Sequence, residues 1–270
     1  MIVCGHRMPR GAFKGIEEGT FFQSYSMMGY AAINFVRMPM ILWSVTNFLE
    51  DAGYDALPIA NDQRWAAINS DNGQPNPGWS QPVAPGKPAP DVFVHFRIAA
   101  FLAGLGEIGY SRVFLTPEFG PRQRFGVVIT NAPLEADPLF EGTICDRCML
   151  CVKHCSGRAL SATDSLKLKL AGREVEISKL DEPACRIGFR GGNPEVNPFA
   201  LDQTKEKIMW HGEAWEGAAG CIRACMVHLE QKGVLTNKFK EPFRTREPWR
   251  MDPAWKDNFP PSAPRLRFRD

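Results

Sequence analysis

The stretch TICDRCMLCVKHCSGRALS, residues 143–161, decides how the rest of the sequence is read. Cys145, Cys148, Cys151 and Cys155, half of the eight cysteines, fall within eleven residues. Thiolates are soft ligands. The spacing C-x2-C-x2-C-x3-C wraps three of them around one iron–sulfur cluster and turns the fourth toward a neighbouring cluster. Zinc sites pair two C-x2-C knuckles instead of using a three-plus-one run, so iron–sulfur is the metal this spacing favours. Disulfides fit poorly, because no export signal is visible and the cysteines keep a ligand spacing.

A two-cluster arrangement needs a second run. GCIRACMVHLE holds Cys221 and Cys225, and the member expected three residues before Cys221 is Ala218. Upstream, KLDEPACRIGF supplies Cys185. The expected assignment is Cys145, Cys148, Cys151 and Cys225 for one cluster and Cys155, Cys185 and Cys221 for the other. The second lacks one thiolate. It is either a three-iron [3Fe-4S] cluster or a [4Fe-4S] cubane completed by water, His211 or Glu216. The plainer alternative is a single cluster with Cys185 as a buried bystander. Cys4, in the apolar opening run, reads as core.

The composition is that of a folded chain: 270 residues, 44% hydrophobic, net charge +2. So small a charge exerts no general pull toward nucleic acid or membrane. No signal peptide or twin-arginine leader is legible, which sets the expected location as cytoplasmic. AAINFVRMPMILWSVTNFL, residues 31–49, is apolar but interrupted by Asn34, Arg37, Pro39 and Asn47. It predicts a buried core helix kinked near Pro39, not a membrane span.

Residues 1–9 read as a short buried strand with no lead-in, as if the chain began part-way through a domain. A long helix is expected over 30–53, a strand over 56–60, and a helix over 92–103. The turn GLGEIG (104–109) and strands at 112–116 and 124–131 follow. Six prolines between 70 and 90 mark a surface insertion over about 63–91. The domains expected are a core over 1–139, a cysteine module over 140–232 and a C-terminal arm over 233–270. The tail from 244, rich in proline and arginine, reads as a solvated arm on the surface.

No G-x-G-x-x-G after a strand and no P-loop marks a nucleotide site. The segments GY, AGYDALPIAND, AGLGEIGYSRVFLTPEFGPRQRFGVVITNAPLEADP and CDRCMLCVKHC together resemble the core of the corrinoid-dependent reductive dehalogenases. The likeness runs from about residue 28 to 230. More distantly, the chain is similar to the epoxyqueuosine reductases. The resemblance implies an α+β fold: a nitroreductase-like, cobalamin-binding core with a ferredoxin-like module carrying two iron–sulfur clusters. It also implies that the clusters pass single electrons to the cobalt of a base-off corrinoid, which attacks an organic substrate, halogenated or not.

Carried over residue by residue, the resemblance makes Tyr30 of GY the proton donor, Asn61 of IAND its neighbour, and Arg124 the arginine closing PEFGPR-R. A guanidinium and an amide beside a phenol stabilise a phenolate or a departing halide. The GLGE and PEFG segments are where the corrinoid is expected, at Gly106, Glu107, Pro117, Glu118, Phe119 and Gly120. Tyr30 favours the dehalogenase branch, since the epoxyqueuosine reductases carry an acid there.

The sequence also departs from the family pattern. The long N-terminal region is absent, Tyr110 stands where arginine is usual, and Ser156 and Met226 replace prolines. A second subunit or a second copy of the chain is therefore expected to complete the corrinoid pocket. The remaining partners are a small organic substrate and a low-potential donor of ferredoxin or flavodoxin type. The alternatives are an epoxyqueuosine-reductase-like, non-halogen reductase and a non-catalytic electron-transfer subunit.

Overall fold

The computed structural model describes residues 1–21, 23–61, 85, 94–189 and 219–249. β1 (Ile2–Arg7) is followed by α1 (Gly11–Glu18), two π-helical stretches (Ser24–Ala31 and Ile33–Arg37) and α2 (Met38–Asp51). Then come β2 (Ala56–Ile59), α3 (Phe96–Leu102), the short strands β3 (Glu107–Ile108) and β4 (Phe114–Leu115), and β5 (Gln123–Thr130). Beyond the first cysteine run lie α4 (Leu150–Lys153), β6 (Leu160–Leu170), β7 (Arg173–Leu180), α5 (Glu182–Phe189) and α6 (Gly220–Gln231).

β5 is the middle strand of an antiparallel sheet in the order β1–β5–β2, with Cys4 opposite Gly126 and Ile59 opposite Val127. Side chains alternate between the two faces of a strand. Phe125 and Val127 therefore meet α3 on one face, while Val128 meets Met38, Leu42 and Leu49 of α2 on the other. Gly126 shares the α2 face, where an added Cβ would lie 2.7 Å from Met38. Arg124 has the same parity, so it points to the helical side. The opening strand exists, but as a half-buried edge strand and not a buried one.

The single long helix expected over 30–53 is different in detail. It begins at Ser24 and winds as π-helix through Arg37 before becoming α-helical. Pro39 is the second residue of α2, where the continuous winding passes from π to α, so the irregularity expected near Pro39 takes the form of a change in helical type. The outer side of this segment is not core either. Phe35, Val36, Met40, Trp43 and Phe48 are exposed, Phe48 by 73%. Among the described residues no helix is long and apolar enough to cross a membrane.

A hairpin of β6 and β7 turns at Ala171 and Gly172, both at positive φ as two-residue hairpin turns require. It lays Leu168, Leu170, Val175 and Ile177 against the α3 side of the sheet. The core also runs across the expected boundary at 140. Ile222, Met226 and Val227 of α6 share one cluster with Phe13 and Ile16 of α1 and Phe243. The arm expected from 233 starts as an anchored segment, with Leu235 and Phe243 buried. The proline-rich insertion apart from Pro85, the candidates His211 and Glu216, Ala218, and residues 250–270 lie outside the described residues.

Glu17 joins these layers. Its carboxylate, 3% exposed, accepts from Arg223 of α6 at 3.2 Å and from Arg244 of the tail. Removing one partner of a buried ion pair strands the other. Glu17→Gln is expected to cost about 3 kcal/mol of stability, read as a lower midpoint in urea with an unchanged slope.

Candidate metal centres and active site

All eight cysteines are free thiols. The first run is folded by unusual backbone: Arg147 and Met149 both have φ near +60°. Non-glycine residues rarely enter this region, and here the left-handed turns curl the chain so that successive thiols converge. α4 and α6 then lie together. Cys221 and Cys225 are four residues apart on α6 and so share one of its faces.

Two thiol groups result. Cys225 feels Cys145, Cys151 and Cys148, in that order, and with its own burial these push its thiol well above the ordinary range. Cys151 rises to about 11, chiefly by burial and then by Cys145. The second group is tied by close backbone approach. An added Cβ on Gly157 would lie 2.3 Å from the Ala184 carbonyl oxygen, and one on Gly220 2.1 Å from that of His154. These contacts hold the segments of Cys155, Cys185 and Cys221 against one another. Cys221 rises to about 12, first by burial, then by Cys155 and Cys185. Ser156, where proline is usual, donates from Oγ to the Gly188 carbonyl at 2.8 Å and closes the same seam.

This chemistry fits iron–sulfur clusters. Buried thiols that oppose one another's ionisation become thiolates when a cationic metal core lies between them. Backbone donors already face the sulfurs: the Tyr110 N–H reaches Cys145 Sγ at 3.4 Å, and the Ala159 N–H reaches Cys155 Sγ at 3.3 Å. Asp146, Cys148 and His228 also offer ligand atoms within 4.8 Å of one another. There, however, Asp146 is already held by His228 at 2.9 Å and Lys232 at 2.6 Å. A Gly220→Ala variant should lose roughly half of its reconstituted iron, because the added methyl meets a carbonyl that cannot turn away. An iron count beside the parent protein checks this.

Tyr30 and Arg124 meet. The guanidinium lies 4.0 Å from the centre of the phenol ring, and its Nε donates to Asn34 Oδ1 at 3.0 Å. The π-helical winding explains the company Tyr30 keeps. At roughly 4.4 residues per turn, Tyr25, Tyr30 and Asn34 fall on one face; an α-helix would scatter them. Phe189 of α5, four residues from Cys185, packs on both tyrosines, with ring centres 5.8 Å from Tyr25 and 5.9 Å from Tyr30. The Cys185 helix thus touches the phenol. Asn61, half-buried in the turn after β2, makes no hydrogen bond to Tyr30 or Arg124 among the described residues.

The residues expected to line the corrinoid have other duties. Glu107 Oε1 accepts the N–H of Ile144 at 2.7 Å and that of Cys145, bracing the cysteine loop. The carbonyls of Pro117 and Glu118 accept from Thr236 and Asn237 at 3.0 and 3.1 Å. The Phe119 N–H donates to Thr116 Oγ1 at 3.2 Å. Gly106 abuts the Leu115 carbonyl, and Gly120 abuts Leu229 and Leu235. These six form the seam between sheet, cysteine loop and tail. Among the described residues the buried donors without a partner are Tyr25 Oη, Asn34 Nδ2, Thr46 Oγ1 and Arg122 Nε, and the first two lie at the tyrosine–arginine pair. Buried polar atoms are normally satisfied, so this is where a ligand rich in acceptors, such as the amide-fringed rim of a corrin, fits the residues present.

No protein-family model matches the chain. It is 26% identical over 212 residues to the tetrachloroethene reductive dehalogenase of Dehalobacter restrictus, covering 78% of this chain and 29% of that one. Over 62 residues it is 39% identical to the tetrachloroethene reductive dehalogenase of Sulfurospirillum multivorans, covering 22% of this chain and 12% of that one. Its fold matches a catabolic reductive dehalogenase in complex with 3-bromo-4-hydroxybenzoic acid with a TM-score of 0.50 at 20% identity, covering 83% of this chain and 25% of that one. The likeness to the reductive dehalogenases read from the sequence therefore holds in both sequence and fold. The chain spans about three tenths of the length of the first of these relatives.

Proposed function

We propose that the chain is a reductase resembling the reductive dehalogenases, with two iron–sulfur clusters supplying electrons to a corrinoid beside Tyr30. One observation carries this reading: Phe189, on the helix of Cys185, packs against the phenol that Arg124 covers. This packing supports a three-cysteine group next to a proton donor, which is what a reductive site needs.

The net reaction takes two electrons and one proton and exchanges a carbon–halogen bond for a carbon–hydrogen bond, releasing halide. When bound, the corrinoid supplies low-potential reducing power at a single metal atom. The chain's own part is different. Tyr30 Oη delivers the proton to the substrate carbon. Arg124 adds positive potential at the ring, which favours the phenolate left behind. Tyr25 Oη, Asn34 Nδ2 and the free edge of Arg124 bind acceptors on the cofactor or the substrate. On this reading residues 1–139 are a nitroreductase-like core, 140–232 a ferredoxin-like module and 233–270 an arm. Electrons come from a ferredoxin- or flavodoxin-type donor, and a second subunit or copy completes the pocket.

Metal analysis of protein isolated without oxygen and given hydroxocobalamin tests the reading. About one cobalt and about seven or eight irons per chain are expected. Zinc in the thiol sites with no retained cobalt would overturn it.

A further inference from the structure

α2 is apolar on two sides, and only one of them meets the sheet. Met38, Leu42, Thr46 and Leu49 are buried. On the other side Val36, Met40 and Trp43 are each more than half exposed, and the exposed Asn47 continues their row. These four recur at steps of four, three and four residues, the spacing that lines up a seam for a second helix. Phe48 flanks the row. With it, the exposed apolar side chains amount to on the order of 500 Å², and a patch of that size marks an interaction site.

The charges along the row say what covers it. Arg37 stands exposed at its start, Glu50 and Asp51 at its end. None of the three side chains makes an ion pair or hydrogen bond among the described residues. The last turn of a helix favours cations, because its free carbonyls carry partial negative charge, yet α2 has two carboxylates there and no basic residue.

We propose that the chain forms a two-fold dimer in which α2 packs antiparallel against α2 of a second copy. With the axis near Trp43, the Arg37 end of each helix lies beside the Glu50–Asp51 end of the other, and the macrodipoles oppose. Parallel helices would bring like charges together at both ends. A lipid surface fits less well, since helices that lie on membranes carry several Lys and Arg beside their apolar face, and here one arginine stands against two carboxylates. The dimer gives the second copy proposed above its surface, and it rests on that reading only for the pocket that copy completes. The seam begins two residues beyond Asn34, the partner of Arg124, which brings the second copy up to the candidate active site.

Sedimentation equilibrium of the full chain at on the order of 10 μM is the test. The parent should have twice the mass of the 30.2 kDa chain. Trp43→Asp should raise the dissociation constant at least about 100-fold, because a tryptophan at a two-fold axis is lost from both copies. Met40→Lys repeats the measurement should that variant fail to fold. Arg37→Glu should weaken the dimer about tenfold, and adding Glu50→Arg and Asp51→Arg to it should restore the parent affinity, since an antiparallel pair then has its charges exchanged. A monomeric parent, or a dimer unmoved by both Trp43→Asp and Met40→Lys, would overturn the proposal. So would a triple variant no tighter than Arg37→Glu, the result for parallel helices. Iron and cobalt are counted on the same samples. A monomer that holds both overturns the dimer alone, whereas a dimer that holds neither overturns the reductase reading alone.

Discussion

Tyr30→Phe is expected to lower reductive turnover by about 10²–10⁴-fold while leaving iron and cobalt content and the unfolding midpoint unchanged. The phenylalanine ring keeps the packing on Phe189 at 5.9 Å and the stacking beneath Arg124 at 4.0 Å, so scaffold effects are small. Only the hydroxyl is lost, and with it the proton. A variant that binds both cofactors, reduces them with dithionite and yet fails to turn over separates proton delivery from electron delivery. Arg124→Gln should fall between the two, because the phenol remains while the positive charge over its ring is gone. Turnover of Tyr30→Phe within about tenfold of the parent would assign the proton to another group.

The sequence made much of this arrangement legible, and its failures are physical. The three-plus-one spacing of Cys145 to Cys155 is a local pattern set by ligand geometry, and Cys225 and Cys221 fall where a mirrored run would place them. β1, β2, α3 and β5 follow from apolar runs bounded by glycine and polar turns. The hairpin of β6 and β7 went unread, although LKLKL, a two-residue AG turn and REVEI carry a period of two.

The π-helical winding was not legible, because side-chain periodicity over so few residues does not distinguish it from an α-helix. Tyr25 and Asn34 consequently did not stand out as companions of Tyr30. The PEFG and GLGE segments illustrate the converse. They carry the family likeness, yet their carbonyls and the Glu107 carboxylate bind the tail and the cysteine loop, so a recognisable motif can mark a seam as readily as a binding surface.

Cys225→Ser should remove the four-cysteine cluster, taking away about four irons per chain, whereas Cys4→Ser should leave the iron count unchanged. Serine is close in size to cysteine but offers a hard oxygen that ionises far less readily, and iron–sulfur cubanes select soft thiolates. The site adds its own penalty. Cys225 lies beside Cys145, Cys151 and Cys148 and its thiol is pushed up well above the ordinary range by burial and by those neighbours. It becomes a thiolate only through the metal it helps to bind, and a serine there would stay protonated. Cys4 is equally a free thiol, but it packs beneath α2 with Val128 and Leu42 and belongs to no group of three ligand atoms among the described residues. Equal iron in the Cys225→Ser variant and the parent would move the fourth ligand elsewhere, and with it the pairing of α4 with α6 as the frame of the first cluster.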